Sequence, residues 1–348
     1  MLSINMLTKA DTVKGQGVFS ATEEQIALVT EGLEGYEVVI NDSKMHDLTH
    51  LHTINPEFYF KSVSSGKKHP IIASVHFLPE TLENSISLPK PIKEIFYKYV
   101  LSFYKQADYL VTVNPRFIED LSGYGVDPSK VTYIPNFVSR DTFYKIPDTA
   151  KRDLRNSFGI DPDMFTVVSA GQLQMRKGVL EFIDLASQIP DIQFVWAGDF
   201  AFKGISEGRK EITEHLKSLP KNIHFLGLVD RERMNDFFNM GDVMLQLSFE
   251  ELFPMTILES MNANIPLLLR DLREYKPILF DFYLKGNNQT DFIQELTKLK
   301  NDSSYYKEAC AMSKRGEEYY SKESVLSQWQ AFYDKVAIEN GLLERIND

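Results

Sequence analysis

Short apolar runs alternate with amphipathic segments along almost the whole chain. The runs are of strand length, and the segments between them repeat apolar residues at the spacing of a helix turn. Strands that alternate with helices are typical of a parallel sheet covered by helices. The pattern therefore predicts an α/β fold. In the first half we expect strands at residues 3–7, 37–40, 48–52, 71–76, 109–113 and 131–134, and helices at 20–31, 90–107 and 115–122.

The same alternation starts again after a polar connection at residues 144–151. Two such series predict two doubly wound, Rossmann-like domains that face one cleft, with bounds of 1–148 and 149–320. Residues 321–348 are expected to form a C-terminal helix. In the second domain we expect a helix between the polar connection and residue 165. We also expect strands at 165–170, 192–197, 223–226, 243–247 and 265–269, and further helices at 178–187, up to about 219, and at 231–240, 254–263, 291–299 and 303–318.

Residues 249–261 carry two glutamates at the start of a predicted helix. Pro254 suits the first helical turn. Glu251 and Glu259 would lie roughly 80° apart on one helix, which is too far round for a simple pair. They can act together if Glu251 lies in the loop and Glu259 in the helix, so that the helix start faces phosphates and the carboxylates accept sugar hydroxyls. Two solvated surface glutamates are the alternative.

Two further loops follow the first strand of each predicted domain. Gly15 and Gly17 would let backbone N–H groups approach an anion before a helix, although a plain tight turn has the same glycines. Arg176 and Lys177 precede a helix N-terminus, where cations are poorly placed for the helix dipole. A bound polyanion would explain them, and a solvated loop is the alternative.

Composition excludes several classes of protein. The net charge of −11 argues against general nucleic-acid binding, which needs a basic field. Cys310 is the single cysteine, so neither an intramolecular disulfide nor a cysteine-based zinc cluster is expected. No apolar run approaches the roughly 20 residues that span a bilayer, and the first residues lack the layout of a secretory signal. We therefore expect a cytoplasmic protein that does not cross a membrane.

Three histidines follow or occupy predicted strands. His50 and His52 point the same way from one strand and could be mistaken for zinc ligands, but no third ligand is near them in the sequence. His76 lies at the end of the next strand, where a satisfied core histidine is the simpler interpretation. Arg270 and Asp271 follow another strand, and they either reach the cleft or form a surface ion pair.

Several motifs together resemble the retaining glycosyltransferase family 4, which has the GT-B fold. In the second half these are Lys177-Gly178 after the strand at 165–170, Trp196-Ala-Gly198-Asp199, and Glu251 followed by Glu259. The first half agrees, and the resemblance covers nearly the whole chain. The matching segments of the first half are 14–17, 50–52, 74–79, 111–115 and 134–136.

The resemblance implies a role for individual residues. Glu259 would hold the nucleotide ribose, Glu251 would lie beside the donor hexose, and Lys177 would contact the diphosphate. The usual arginine of the family is Gln172 here, and Arg176 is a possible substitute. The implied catalytic residues are His76, Glu251 and Lys177, and the implied donor-binding residues are Gly15, Gln16, Gly17, Gly171, Gln172, Arg176, Lys177, Glu251, Leu252, Phe253, Pro254 and Glu259.

Within the family, the chain is similar to the bacterial synthases that add a second hexose to monoglucosyl-diacylglycerol. The resemblance thus implies a UDP-glucose or UDP-galactose donor, a glucosyl-diacylglycerol acceptor and no metal cofactor. It also implies that residues 321–348 pack back on the N-terminal domain. A family member that uses another lipid or a polysaccharide is the first alternative, and a non-catalytic sugar-nucleotide-binding subunit is the second.

A lipid acceptor requires contact with a bilayer, and the helix at 91–107 is the candidate surface. A helical wheel predicts a core stripe of Ile92, Ile95, Phe96, Tyr99, Val100 and Phe103. Lysines and apolar side chains on the opposite face predict reversible docking on anionic lipid, at the inner face of the cell membrane. Coverage by the domain's own loops or by a partner subunit is the alternative. The predicted membrane-binding residues are Lys90, Lys93, Tyr97, Lys98, Leu101, Tyr104 and Lys105.

Overall fold

The computed structural model describes residues 1–9, 17–64, 69–79, 89–200 and 208–343, and the side chains of 17, 18 and 61–64 are left aside. The chain divides into two compact units. The first contains the described residues of 1–82, 88–137 and 320–348, and the second those of 138–319. Each unit is built on its own sheet. Because residues 320–348 belong to the first unit, the chain passes into the second unit and then returns to the first.

The sheet of the first unit has six parallel strands in the order β2-β1-β3-β4-β5-β6. Ile4 of β1 faces Val38 on one side and Leu48 on the other, which sets the register at the centre of the sheet. The order reverses between β1 and β3, and such a switch point is where open α/β sheets bind ligands. The strands are β1 Leu2–Leu7, β2 Tyr36–Ile40, β3 Leu48–Leu51, β4 Ile71–Val75, β5 Tyr109–Thr112 and β6 Val131–Tyr133.

The sheet of the second unit also has six parallel strands, in the order β12-β11-β10-β7-β8-β9. Val167 of β7 pairs with Val243 and Phe194 on its two sides, and all three are buried, as expected for a sheet covered on both faces. Here the order reverses between β7 and β10. The strands are β7 Phe165–Ala170, β8 Ile192–Ala197, β9 Ile223–Phe225, β10 Val243–Gln246, β11 Leu267–Arg270 and β12 Leu284–Gly286.

The helices lie between these strands, as the alternating pattern predicts. In the first unit they are α1 Gly17–Gly32, α2 Pro56–Ser64, α3 Lys90–Gln106, α4 Arg116–Gly123 and, at the end of the chain, α13 Lys322–Glu339. In the second unit they are α5 Lys151–Ser157, α6 Val179–Gln188, α7 Arg209–His215, α8 Met234–Met240, α9 Met255–Asn262, α10 Lys276–Leu279, α11 Gln289–Asn301 and α12 Ser303–Tyr319. Helices α2 and α10 and strand β12 are additions to the prediction.

Helix α13 belongs to the core of the first unit, which confirms that the last helix returns to the N-terminal half. Trp329, Phe332 and Tyr333 are buried against the residues of β1, β3 and α1. The end of the Leu326 side chain occupies the space beside Gly32 of α1, so the two helices pack directly on each other there. Burial of each large apolar side chain stabilises the fold by about 1.5–3 kcal/mol. The first unit therefore depends on a segment from the far end of the chain.

The buried face of α3 differs from the predicted one. Ile92 and Ile95, expected in the core, are 53% and 69% exposed. Tyr104, expected on the outward face, is 1% exposed, and its hydroxyl donates to the carbonyl of Phe77 at 2.9 Å. Tyrosine is buried readily once its hydroxyl has a partner. The placement of Tyr104 among the outward residues was therefore wrong.

Helix α2 packs against the second half of α3. The ring of Tyr59 lies 5.8 Å from the ring of Tyr99 and 6.2 Å from that of Phe103, so α2 covers this side of α3. The buried residues of α3 are then Val100, Phe103 and Tyr104, all in its second half. A helical wheel that weights every apolar residue equally misses this, because Ile92 and Ile95 lie in the first turns of α3 and only the second half is buried.

No helix among the described residues is long and apolar enough to span a membrane.

Candidate functional site

The loop that follows β7 packs closely on the end of β10 at the switch point of the second sheet. Gly178 has a φ of 71°, and a Cβ there would lie 2.6 Å from the carbonyl oxygen of Leu247. Only glycine therefore allows the approach. The backbone N–H of Phe249 donates to the carbonyl of Arg176 at 2.8 Å. The loop at 171–178 and the loop at 247–254 thus form one surface at the carboxyl ends of the strands.

The same loop is held on its other side by the end of β8. The indole N–H of Trp196 donates to the carbonyl of Gly171 at 2.9 Å, and the N–H of Leu173 donates to the carbonyl of Asp199 at 3.2 Å. Gly198 packs against Gly171 so closely that a Cβ would collide with its carbonyl. The segment Trp196-Ala-Gly198-Asp199, noted in the sequence, therefore supports the loop that carries Lys177.

Lys177 and Glu251 form an ion pair between these two loops. The Lys177 ammonium binds Oε1 of Glu251, and the two side chains are only 15% and 8% exposed. The same oxygen accepts a hydrogen bond from Nε2 of Gln246 at 3.0 Å. The sequence predicts both charged residues as site residues, and the structure brings them into contact. Glu251 lies in the loop before α9, which is the arrangement that the spacing of the two glutamates required.

The charge of the Glu251 carboxylate is set by opposing influences. Burial raises its pKa, but the charges of Lys177 and Arg176 and hydrogen bonds from Lys177 and Ser248 outweigh burial and hold the pKa below its ordinary value. The carboxylate is therefore ionised at neutral pH and accepts hydrogen bonds. The pKa of Lys177 is lowered by burial, against the attraction of Glu251.

Gln246 contacts the predicted site residues although no sequence motif pointed to it. It occupies the last position of β10, and its Nε2 approaches Glu251 while its Oε1 accepts from the hydroxyl of Thr256 at 3.3 Å. It therefore links the strand end, the loop and the start of α9. A glutamine in the otherwise apolar run Val-Met-Leu-Gln-Leu was the available signal, because a buried amide needs partners.

Glu259 lies within α9 and is paired with Arg231. Its side chain is 3% exposed, and Nη1 of Arg231 binds its Oε1. The guanidinium also lies over the ring of Phe143, 4.5 Å from the centroid. Burial raises the pKa of the Glu259 carboxyl above its ordinary value, and Arg231 opposes this shift. Arg231 was not among the site residues predicted from the sequence. It lies after the end of strand β9, and this position is the sequence signal that could have identified it.

Arg270 supports the loop at 247–254 from the neighbouring strand. Its Nε donates to the carbonyl of Leu247 at 3.0 Å, and its guanidinium lies 4.1 Å from the ring centroid of Phe249. Asp271 instead accepts from the hydroxyl of Tyr283 at 3.2 Å. The side chain of Arg270 thus contacts the loop at 247–254, called here the glutamate loop because it carries Glu251. Asp271 pairs with Tyr283 and not with Arg270, so the alternative of a surface ion pair between Arg270 and Asp271 is wrong.

Some of the remaining predicted donor-binding residues lie among the described residues and others do not. Gly15 and Gln16 lie outside the described residues, and Gly17 begins α1. Nη1 of Arg176 donates to the carbonyl of Glu250 at 3.4 Å, while its buried Nε has no hydrogen-bond partner in the part of the chain that the structure describes. Gly171, Gln172, Leu252 and Pro254 are half-buried and Phe253 is buried.

His76 lies just after β4, beside a small cavity of the first unit. The cavity measures about 20 Å³ and is lined by polar groups of Gln25, Ser74 and Asn136 as well as by Trp329. Nε2 of His76 is buried and has no hydrogen-bond partner among the described residues. Burial lowers the pKa of His76 to about 4, so the imidazole is neutral at pH 7.

His50 is a core histidine. Its Nδ1 lies 2.8 Å from the hydroxyl of Tyr333 and its Nε2 lies 2.9 Å from the hydroxyl of Ser74. The ring of His52 stacks on that of His50 with centroids 4.3 Å apart. Within residues 1–9, 17–64, 69–79, 89–200 and 208–343, no group of three or more histidine, cysteine or carboxylate side chains is arranged to hold a metal ion.

Comparison with known families finds two matches that together span most of the chain. The model of the glycosyl transferases group 1 matches residues 150–319, and that of glycosyltransferase family 4 matches residues 42–142. The α-galactosylglucosyldiacylglycerol synthase of Streptococcus pneumoniae is 39% identical, over 97% of this chain and 90% of that protein. The processive diacylglycerol α-glucosyltransferase of Acholeplasma laidlawii is 26% identical, over 77% of this chain and 79% of that protein.

Solved structures with the same fold cover almost the whole chain. HepE of Anabaena, in a complex with UDP-glucose, superposes with a TM-score of 0.74 at 13% identity, over 97% of this chain and 100% of that one. Sucrose-phosphate synthase of Thermosynechococcus elongatus superposes with a TM-score of 0.74 at 14% identity, over 97% and 100% of the two chains. These matches, with the two parallel six-stranded sheets, confirm the predicted fold.

Proposed function

Because the chain belongs to glycosyltransferase family 4 and has the GT-B fold, we propose that it is a retaining α-glycosyltransferase acting on a membrane glycolipid. It moves glucose or galactose from a UDP-sugar to monoglucosyl-diacylglycerol and makes a dihexosyl-diacylglycerol. The observation that carries the proposal is the buried pair of Lys177 and Glu251 at the switch point of the second sheet, in a chain 39% identical to a galactosylglucosyldiacylglycerol synthase.

The loops at the end of β7 and β10 offer what a nucleotide sugar needs. Lys177 supplies a cation for the diphosphate, and the N–H groups at the start of α9 add partial positive charge. The carboxylates of Glu251 and Glu259 accept hydroxyls of the hexose and of the ribose. In this proposal no metal takes part, so these fixed groups stabilise the charge that develops on the leaving UDP.

The chemical step exchanges one bond at the anomeric carbon for another. The bond from this carbon to the diphosphate oxygen breaks, and the bond to the acceptor hydroxyl oxygen forms on the same face. The hydroxyl proton passes to the departing diphosphate, so no protein nucleophile is assigned. His76 is neutral at pH 7, so in this proposal it serves as a hydrogen-bonding group rather than as a proton donor.

The acceptor lipid requires a membrane contact, and the exposed side of α2 and α3 supplies one. This surface, called here the α2–α3 surface, consists of Phe60, Ile92, Ile95, Lys98 and Lys105, all exposed. Exposed aliphatic and aromatic side chains beside lysines fit the interface of an anionic bilayer, where each lysine contributes about 1 kcal/mol. We place the enzyme at the cytoplasmic face of the cell membrane, bound reversibly.

One experiment tests the proposed reaction. The purified protein is incubated with vesicles that contain glucosyl-diacylglycerol and with UDP-glucose or UDP-galactose, and the lipid product is analysed by mass spectrometry and by NMR of the new anomeric proton. An α-linked dihexosyl-diacylglycerol is expected. Vesicles with diacylglycerol alone and a soluble maltose acceptor serve as comparisons, and transfer only to one of these would replace the proposed acceptor.

A non-catalytic sugar-nucleotide-binding subunit is the second candidate, and one observation favours it. Gln172 stands where the resemblance to the family implies an arginine. The buried cation Lys177 and the nearby Arg176 argue for turnover, because they offer charge to a leaving diphosphate. Binding of UDP without release of UDP from either sugar nucleotide, in the presence of the glucolipid vesicles, would establish the second candidate.

A further inference from the structure

Arg231 and Glu259 are held together although they come from different elements. Arg231 begins the single 3₁₀ turn at residues 231–233, which follows β9, and Glu259 lies in the middle of α9. The guanidinium binds Oε1 of the carboxylate and rests on the ring of Phe143, 4.5 Å from its centroid. Two contacts therefore restrict the guanidinium: the carboxylate in front of it and the aromatic ring along its face.

The two partners differ in exposure. Glu259 is 3% exposed, whereas Arg231 is 40% exposed. A buried carboxylate without a cation would tend to take up a proton, because burial penalises the charged form. A protonated carboxyl accepts hydrogen bonds less well and has one fixed donor. The charge and the orientation of Glu259 thus depend on a residue that reaches it from the surface.

We propose that Arg231 is a positioning residue of the donor site, which holds the Glu259 carboxylate in one orientation for the hydroxyls of the nucleotide's ribose. This inference rests on the proposed function, in which Glu259 accepts the ribose. Arg231 acts through Glu259, because its guanidinium binds the Glu259 carboxylate and rests on the ring of Phe143. The ligand that it favours is a nucleoside diphosphate with free 2′ and 3′ hydroxyls.

Arg233 provides a matched control in the same turn. Its guanidinium also rests on an aromatic ring, 4.2 Å from the centroid of Phe158, and it donates to the hydroxyl of Ser157 at 3.2 Å. It resembles Arg231 in charge and aromatic contact and differs in having no bond to Glu259 among the contacts of the described residues. Replacement of Arg233 should therefore leave nucleotide binding unchanged.

The test measures the binding of UDP and of 2′,3′-dideoxy-UDP by calorimetry to wild type, Arg231→Met, Arg231→Lys and Arg233→Met. Arg231→Met should weaken UDP binding about ten-fold at pH 7, the loss expected for one charge-assisted hydrogen bond. It should leave the binding of dideoxy-UDP unchanged, because that ligand lacks the hydroxyls. Arg231→Lys should restore part of the loss, and Arg233→Met should match wild type.

A pH series adds a measurement that a purely structural role would not change. Without the guanidinium, the pKa of Glu259 should rise further, and below that pKa the charged fraction falls ten-fold per pH unit. The ratio of the dissociation constants for UDP, Arg231→Met over wild type, should therefore be larger at pH 6 than at pH 8. The ratio cancels the titration of the nucleotide itself.

The outcomes separate this inference from the proposed function. If wild type binds no UDP, the proposed function fails and this inference fails with it. If wild type binds UDP and Arg231→Met binds it equally well, only the role of Arg231 is overturned. Equal losses for UDP and dideoxy-UDP would also overturn it, because Arg231 would then act on another part of the nucleotide. Thermal melting checks that each variant folds. If Arg231→Met does not fold, the ratio of the UDP dissociation constants of Arg231→Lys and wild type, measured at pH 6 and pH 8, tests the role of Arg231 instead.

Discussion

The ammonium of Lys177 and the carboxylate of Glu251 form a buried ion pair although 74 residues separate them in the sequence. Each belongs to a loop at the carboxyl end of a strand, and the two strands, β7 and β10, are neighbours at the point where the strand order reverses. A buried ion pair contributes little net stability, since desolvation offsets the attraction. The pair therefore contributes a fixed position for two opposite charges more than it contributes stability.

Removal of either partner of this pair should damage both stability and activity. Lys177→Met leaves the Glu251 carboxylate buried without its cation, and Glu251→Gln leaves the ammonium. Each single change should lower the free energy of unfolding by about 3 kcal/mol. Lys177→Met should also reduce kcat about 100-fold or more, because it removes the cation facing the leaving diphosphate.

Urea unfolding of the two single variants and of the double variant measures the coupling between them. The double variant should lose less stability than the sum of the single losses, since no uncompensated charge is left. Additive losses would contradict the view that the two charges compensate each other in the fold.

Arg270→Ala should raise the KM for the sugar nucleotide more than it lowers kcat. The change removes the hydrogen bond to Leu247 and the cation–π contact with Phe249, which together hold the loop that carries Glu251. The expected loss of stability is about 1–2 kcal/mol. Steady-state kinetics with each UDP-hexose provides the measurement.

Lys285→Ala is the control for Arg270→Ala. Lys285 lies on the neighbouring strand β12, and its ammonium sits 5.1 Å from the ring centroid of Tyr283 and 4.0 Å from Oδ1 of Asp271. Its kinetics should match wild type. An unchanged KM in Arg270→Ala would show that the loop keeps its shape without this support.

Membrane binding should follow the α2–α3 surface. The triple change Ile95→Ser, Lys98→Glu and Lys105→Glu removes apolar area and reverses two charges on this surface. Co-sedimentation with anionic vesicles should then fall at least ten-fold, since each lysine and the isoleucine contribute on the order of 1 kcal/mol. Equal sedimentation of the triple variant and wild type would exclude this surface.

Tyr104→Phe distinguishes the observed face of α3 from the predicted one. The hydroxyl of Tyr104 donates to the carbonyl of Phe77 inside the first unit. Its loss should reduce the free energy of unfolding by about 1 kcal/mol and leave vesicle sedimentation unchanged. A selective loss of sedimentation without a loss of stability would return Tyr104 to the membrane surface.

The stability of the protein should fall in mild acid because of its buried histidines. Burial lowers the pKa of His50 to about 3 and that of His76 to about 4, whereas an unfolded histidine has a pKa near 6.5. Between these values the unfolded chain binds protons that the native state does not bind. Unfolding is therefore favoured as the pH falls below about 6.5, with up to about 1.4 kcal/mol per pH unit for each histidine.

Urea unfolding at pH 7.5, 6.5 and 5.5 measures this dependence. The slope of the free energy of unfolding against pH should be positive below pH 6.5, and His50→Gln should reduce it by the contribution of one histidine. A flat profile between pH 7.5 and 5.5 would mean that the imidazoles gain protons in the native state.

Much of the fold could be predicted from the sequence. The strands β7 and β8 were predicted with the bounds that the structure shows, and each strand of the first unit differs from its prediction by one residue at one end. Buried parallel strands are short apolar runs, and this signal is local. Helix α2 and strand β12 were missed, and both are short, with nine and three residues.

The sequence by itself determined the α/β alternation, the resemblance to a glycosyltransferase family, and the placement of Glu251 in a loop and Glu259 in a helix. These depend on periodicity and on spacing within a short stretch of chain. Only the tertiary structure decided which groups meet the buried charges and which side of α3 is covered. Arg231 reaches Glu259, and Tyr104 turns inward, because of segments distant in the sequence that pack beside them. The energy of a buried charge or hydroxyl depends on its partner in space, and no local pattern names that partner.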